Sequence, residues 1–232
     1  MSIQKIAQLA GVSVATVSRV LNNSDTVKAK NRERVLQAIK ESNYQPNLLA
    51  RQLRTARSSM ILVMVSNIAN PFCAEVVKGI EEEAEKNGYR ILLCNSGSDM
   101  ARSKSALKLL SGKIVDGIIT MDAFSKLPEL TTMIGDAPWV QCAEYADKGA
   151  VSCVGINDVD AAQSVISHLV EKGYQRIALI NHDLSYKYAR LRERGYKAAL
   201  HAWSLDYQAV EYASELSSSA GMAAMDVLLA AE

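Results

Sequence analysis

Seven side chains within ten residues, Ser13, Val14, Ala15, Thr16, Ser18, Arg19 and Asn22, have the chemistry to read a nucleic-acid duplex. The Arg19 guanidinium can reach guanine O6 and N7, small apolar groups can touch a thymine methyl, and Thr16 and Ser18 can bond phosphate oxygens. That chemistry works only if one helix turns the groups outward together while its other side is held. The spacing supplies such a helix: Val17, Val20 and Leu21 fall on one side of residues 14–21, leaving Val14, Ala15, Ser18, Arg19 and Asn22 on the other. Ser13 suits its N-cap.

The apolar side needs a partner, and the preceding residues provide one. Ile3, Ile6 and Leu9-Ala10 recur at helical spacing, with Ser2 as N-cap, and Gly11 ends that helix because it can take the left-handed turn conformation. A third helix is predicted over Ala29–Ser42, with Val35, Leu36 and Ile39 inward. The residue before it is Lys28, which cannot accept an amide hydrogen bond. Either that cap is lost, at a cost of about 1 kcal/mol, or the lysine meets a phosphate.

A helical hairpin without a ligand would share this apolar pattern; charge separates the two readings. Residues 1–59 hold ten lysines and arginines against three acids, a net of +7, while the rest hold sixteen against twenty-two, a net of −6. Segregation of this kind points to a polyanion partner for the first quarter of the chain alone.

The run I-x-x-I-A-x-x-A-G-V-S-x-A-T-V-S-R-V-L-N over residues 3–22 resembles the DNA-binding signature of the LacI/GalR family of bacterial transcriptional regulators. The likeness continues into Asn43-Tyr44-Gln45-Pro46-Asn47 and Ala50-Arg51-Gln52-Leu53, similar to that family's hinge. It implies a helix-turn-helix domain over 1–45, a hinge helix and linker over 46–59, and a periplasmic-binding-protein-like core over 60–232. Pro46 suits the first position of a hinge helix over 47–54. Eight residues are too few to be stable alone, so that helix would order only when held. By resemblance DNA holds it: paired hinge helices enter the minor groove, with Asn47, Leu53 and Arg54 at the duplex and Leu53 wedged into the central base step. The bland alternative is that Leu48, Leu49 and Leu53 cover the core.

From Met60 the pattern changes to strands and helices in alternation. Met60–Val65, Arg90–Cys94, Asp116–Met121 and Trp139–Cys142 are apolar runs of strand length, separated by amphipathic stretches near 73–87, 102–112 and 125–135. A second series follows: strand Val151–Ile156, helix Asp158–Lys172, strand Arg176–Asn181, helix Lys187–His201, a strand near Tyr207–Tyr212, and a helix from Ser217. Continuous apolar strands joined by helices call for parallel sheets covered on both faces. The expected fold is therefore an all-α three-helix head plus hinge helix, followed by an α/β core of two doubly wound lobes, the second incomplete. Members of the family run about a hundred residues further, so the expectation is either a fragment or a truncated product.

Ligands of such sheets sit beyond the carboxyl ends of the strands, which places Ser66–Phe72 and Met121-Asp122 at the cleft. Asn70-Pro71-Phe72 resembles a family motif whose aromatic residue lies against a small-molecule effector, so Phe72 either stacks on a sugar or base, or packs in the core. Ala189–Tyr196 carries a second likeness, and the arginine matching Arg192 hydrogen-bonds the effector in the family; Arg190 is the weaker candidate. The effector candidates are thus Asn70, Phe72, Asp122, Arg190 and Arg192. Trp139–Tyr145 is similar in layout to the cytidine-repressor branch, a hint of a nucleoside; a sugar or sugar phosphate fits comparably.

The implied partners are a pseudo-palindromic double-stranded DNA operator, a small-molecule effector and a second copy of the chain in a homodimer. No cofactor, metal site or catalytic group is expected. Asp158 and Asp160 read as helix-start acids, and His168, His182 and His201 as structural or solvated. Cys73, Cys94, Cys142 and Cys153 show no C-x-x-C pairing and read as reduced core residues. Without a signal peptide or an apolar run of about eighteen residues, the expected place is the cytoplasm, on the nucleoid. A periplasmic binding protein shares the core fold but not the basic head. An enzyme is disfavoured because no G-x-G-x-x-G, G-x-x-x-x-G-K or nucleophile elbow occurs.

Overall fold

A computed structural model describes residues 2–22, 25–44, 57–97, 99–121, 127–145 and 151–231. The chain forms two compact units, Met1–Arg57 and Ser58–Glu232. The proposed hinge helix, with Asn47, Leu53 and Arg54, lies outside the described residues, as does Asp122.

The first unit packs α1 (Ile3–Ala10), α2 (Val14–Leu21) and α3 (Ala29–Glu41) around one core. Ile6, Ala7, Ala10, Val17, Val20, Val35 and Ala38 are buried there, with Ile3, Val12, Leu21, Val27, Ile39 and Tyr44 partly buried against them. One expectation is corrected. Leu36 is 52% exposed, and Ala38 takes the inward place assigned to it. Val35, Ala38 and Ile39 are spaced at i, i+3 and i+4 and share a face, whereas Leu36 is turned about 100° from Val35.

The second unit contains a five-stranded sheet in the order β2-β1-β3-β4-β5, built from β1 (Met60–Val65), β2 (Arg90–Asn95), β3 (Gly117–Thr120), β4 (Trp139–Cys142) and β5 (Ser152–Val154). Every pairing is parallel, with Ile61 opposite both Ile91 and Gly117. Along β1, Leu62 and Met64 enter one core with Leu107, Leu110, Leu130 and Ile134, while Val63 and Val65 enter another with Cys73, Val77 and Met121. The helices α4 (Pro71–Lys86), α5 (Met100–Ser111) and α6 (Leu127–Ile134) supply those partners, so the sheet is covered on both faces.

The strand near 151–156 belongs to this first sheet and not to the second series, since Val140, Gln141 and Cys142 pair with Ser152, Cys153 and Val154. As an edge strand it is exposed throughout, which also corrects the core reading of Cys153. Cys73 is buried, and Cys94 and Cys142 are half-buried.

The second lobe contains α7 (Asp158–Glu171), β6 (Ala178–Asn181), α8 (Lys187–Ala202), β7 (Ala209–Tyr212) and α9 (Ser218–Ala230). Strands β6 and β7 pair in parallel. The Tyr196 hydroxyl donates to the Ile177 carbonyl at 2.7 Å, just before β6, and accepts from the Ala209 amide of β7 at 3.2 Å, so one side chain ties the starts of both strands to α8. Gly195 lets α7 and α8 approach closely: a Cβ there would collide with the Val159 carbonyl oxygen and lie 2.8 Å from Ala162 Cβ.

Candidate nucleic-acid interface and ligand cleft

The turn between α1 and α2 is built from local bonds. Ser2 Oγ accepts from the Lys5 amide at 3.3 Å and starts α1. Gly11 ends it at φ 61°, ψ 42°, a conformation that costs other residues roughly 1–2 kcal/mol. A Cβ at Gly11 would also meet the Arg34 guanidinium, so that side chain reaches from α3 to the turn. Ser13 Oγ then accepts from the Thr16 amide at 3.2 Å and starts α2.

With Val17 and Val20 buried, Ser13, Val14, Ala15, Arg19 and Asn22 are exposed, and Thr16 and Ser18 are half-exposed. Thr16 Oγ1 lies 2.9 Å from Ser13 Oγ, so the hydroxyl assigned to phosphate also serves the cap. Lys28 precedes α3 without a side-chain capping bond, and both Lys28 and Lys30 are exposed at that helix start.

In the second unit, Asn70 follows β1 and caps α4, its Oδ1 accepting from the Phe72 amide at 3.0 Å while Pro71 takes the first helical position. That cap turns Phe72 out: it is 54% exposed, which removes the core-packing alternative. Arg192 on α8 donates through Nε to Asp158 Oδ1 at 2.8 Å, and its guanidinium carbon lies 4.9 Å from the centre of the Tyr188 ring. Asp158 is therefore more than a helix-start acid: it is buried and holds Arg192. One donor of the guanidinium fork is spent there, and four belong to the two Nη groups. Arg190 Nη1 donates to the carbonyls of Leu184 and Ser185, so it ties down the loop before α8.

Reading the sequence missed three side chains at this site. His182 is not partnerless: Nδ1 lies 2.6 Å from the Tyr188 hydroxyl, and its ring stacks on Tyr186 at 4.6 Å and Tyr188 at 6.1 Å. Burial drives the Tyr188 hydroxyl up to about 12, so it stays protonated at neutral pH. Glu144, buried just beyond β4, accepts from the backbone amides of α8. The usable signals were the Tyr-x-Tyr spacing of 186 and 188 and a helix start without a capping residue. Among the described residues, no group of three or more His, Cys, Asp or Glu is placed to hold a metal, and no helix is long and apolar enough to cross a membrane.

Residues 2–47 match the family described as bacterial regulatory proteins, lacI family, and residues 58–228 match the periplasmic binding proteins and sugar binding domain of LacI family. The chain belongs to the LacI family. Among members, it is 36% identical over 176 residues to the HTH-type transcriptional regulator RegA of Clostridium acetobutylicum, covering 74% of this chain and 52% of RegA. It is 33% identical over 201 residues to the ribose operon repressor of Escherichia coli, covering 86% and 61%. This LacI-family chain thus spans about half to three fifths of those relatives. The crystal structure of the Lac repressor dimer bound to operator and the anti-inducer ONPF superposes with a TM-score of 0.84 at 28% identity, covering 100% of this chain and 71% of that one.

Proposed function

We propose that this chain is a sequence-specific DNA-binding transcriptional regulator, a repressor that acts as a homodimer and whose operator affinity is controlled by a small-molecule effector. The observation that carries the reading is the exposed face of α2, where Val14, Ala15, Arg19 and Asn22 stand clear of a core closed by Val17 and Val20. The +7 charge of the first 59 residues supports a duplex partner, and the operator-bound Lac repressor dimer supports its form. Ser13, Thr16 and Ser18 complete the proposed contacts from α2, and Asn47, Leu53 and Arg54 those from the hinge.

The effector is a sugar, sugar phosphate or nucleoside held beyond the strand ends by Asn70, Phe72, Asp122, Arg192 and Arg190. Phe72 offers a face for stacking, and the Arg192 Nη groups offer donors to hydroxyl oxygens. Arg190 contributes by shaping the loop. No turnover is part of this reading, and the protein works in the cytoplasm on the nucleoid.

Selection from a random duplex pool tests it. The enriched sites are expected to be pseudo-palindromes, and Arg19→Ala is expected to lose about 1–3 kcal/mol at them, roughly 5- to 150-fold in affinity, with weaker discrimination at one base pair per half-site. Failure to enrich any sequence overturns the proposal. Equal affinity of Arg19→Ala and wild type would remove Arg19 from the interface.

A further inference from the structure

Helix α8 begins at Lys187 behind Tyr186, a residue that makes no side-chain capping bond to its first-turn amides. Those amides are met from the other lobe. Glu144 Oε1 accepts from the Lys187 amide at 2.8 Å, and Oε2 from the Tyr188 amide at 3.4 Å, across 43 and 44 residues of chain. The next residue repeats the grip, because the Lys187 ammonium sits over the Tyr145 ring, 3.7 Å from its centre. Two consecutive residues following β4 of the five-stranded sheet thus hold two consecutive residues of a helix that belongs to the two-stranded one.

The backbone at this joint is strained. Ala143 sits at φ 65°, a left-handed conformation that alanine disfavours, and it is held there by bonds from its amide to the Val154 carbonyl and from the Glu144 amide to the Cys142 carbonyl. Glu144 itself is only 7% exposed. Burial raises its carboxyl above the ordinary value, by more than the two amide donors and the charges of Arg190 and Lys187 lower it. A carboxylate kept out of water at a helix start is well placed to meet the positive end of the helix dipole. The turn it caps also carries Tyr188, whose hydroxyl contacts His182 and whose ring lies against Arg192.

We infer that Glu144 is a positioning residue that joins the two lobes: by capping α8 from the neighbouring lobe, it fixes Tyr188 and Arg192 at the cleft. Only its importance for a ligand rests on the regulator reading above; the joint itself does not.

Amide hydrogen exchange on the full chain, without DNA or ligand, tests the joint separately from that reading. Glu144→Ala is expected to speed exchange of the Lys187 and Tyr188 amides by about tenfold or more, and to speed exchange across 143–145 as well. It also shifts the His182 imidazole resonances, because the Tyr188 hydroxyl loses its fixed place. Glu144→Gln keeps one acceptor oxygen and falls between. Adding Tyr186→Ser to Glu144→Ala gives α8 a local cap, which should restore protection at Tyr188 while 143–145 stays perturbed. Unchanged exchange in Glu144→Ala overturns the inference. So does a change confined to α8 that Tyr186→Ser fully reverses, since Glu144 would then be a local cap and nothing more.

Discussion

Ile6→Ala is expected to unfold the first unit, and with it the proposed DNA binding, while leaving the second unit folded. Ile6 is 0% exposed and sits among Ala10, Val17, Val20, Val35 and Ala38, so truncation opens a cavity that touches all three helices. Substitutions of this kind cost about 2–5 kcal/mol. A core in a domain below about 70–80 residues rarely supplies more than roughly 3–5 kcal/mol in total, so the loss is comparable to the whole stability of the unit. Hydrogen exchange should show residues 3–41 unprotected and β1 unchanged, because the buried clusters of the two units share no residue. Leu36→Ala, at an exposed site on α3, should cost well under 1 kcal/mol. A protected head in Ile6→Ala, or an unprotected one in Leu36→Ala, would show that the core has been misplaced.

Gly195→Ala is expected to destabilise the second lobe by about 2 kcal/mol, although alanine is the better helix former. In the interior of a helix the exchange of glycine for alanine gains roughly 1 kcal/mol. Here the added methyl would collide with the Val159 carbonyl oxygen and sit 2.8 Å from Ala162 Cβ, so backbone must give way rather than a flexible side-chain end. Overpacking costs about 1–3 kcal/mol, and a clash against backbone belongs at the upper end, which outweighs the helix gain. Both helices are further held by Ile166, Tyr196, Ala199 and Leu200, which limits the relaxation open to them. Gly79→Ala is the matched control, since a Cβ at that position on α4 meets nothing within 4 Å and should raise stability by up to 1 kcal/mol. Thermal unfolding of the pair decides the matter: a rise in Tm for Gly195→Ala would mean that α7 and α8 do not meet at this glycine.

What the sequence revealed follows from how local each cause is. Ser2, Gly11 and Ser13 act on amides within a few residues, so the boundaries of α1 and α2 could be read directly. The Met60–Val65 run is apolar at every position because its alternate side chains enter different cores, and that continuity alone indicates a strand covered on both faces. Leu36 misled because it adjoins Val35, and two neighbouring apolar residues leave a helical phase ambiguous. The place of β5 depends on pairing with β4, a choice of edge that no local pattern encodes. The cleft was half legible. Phe72 and Arg192 stood out by resemblance, whereas Arg192 with Asp158, His182 with Tyr188, and Glu144 with α8 are meetings across the fold that residue types do not announce.

The strand order has a consequence for biosynthesis. β1 is the first strand of the second unit to leave the ribosome, and it ends up inside the sheet, with β2 on one edge and β3, β4 and β5 added in turn on the other. Each newly made strand therefore docks on an open rim, and none has to be threaded between two partners already in place. A nascent chain that has emerged as far as β3 already holds three neighbouring strands in the order β2-β1-β3, so vectorial synthesis and the order of assembly run in the same direction.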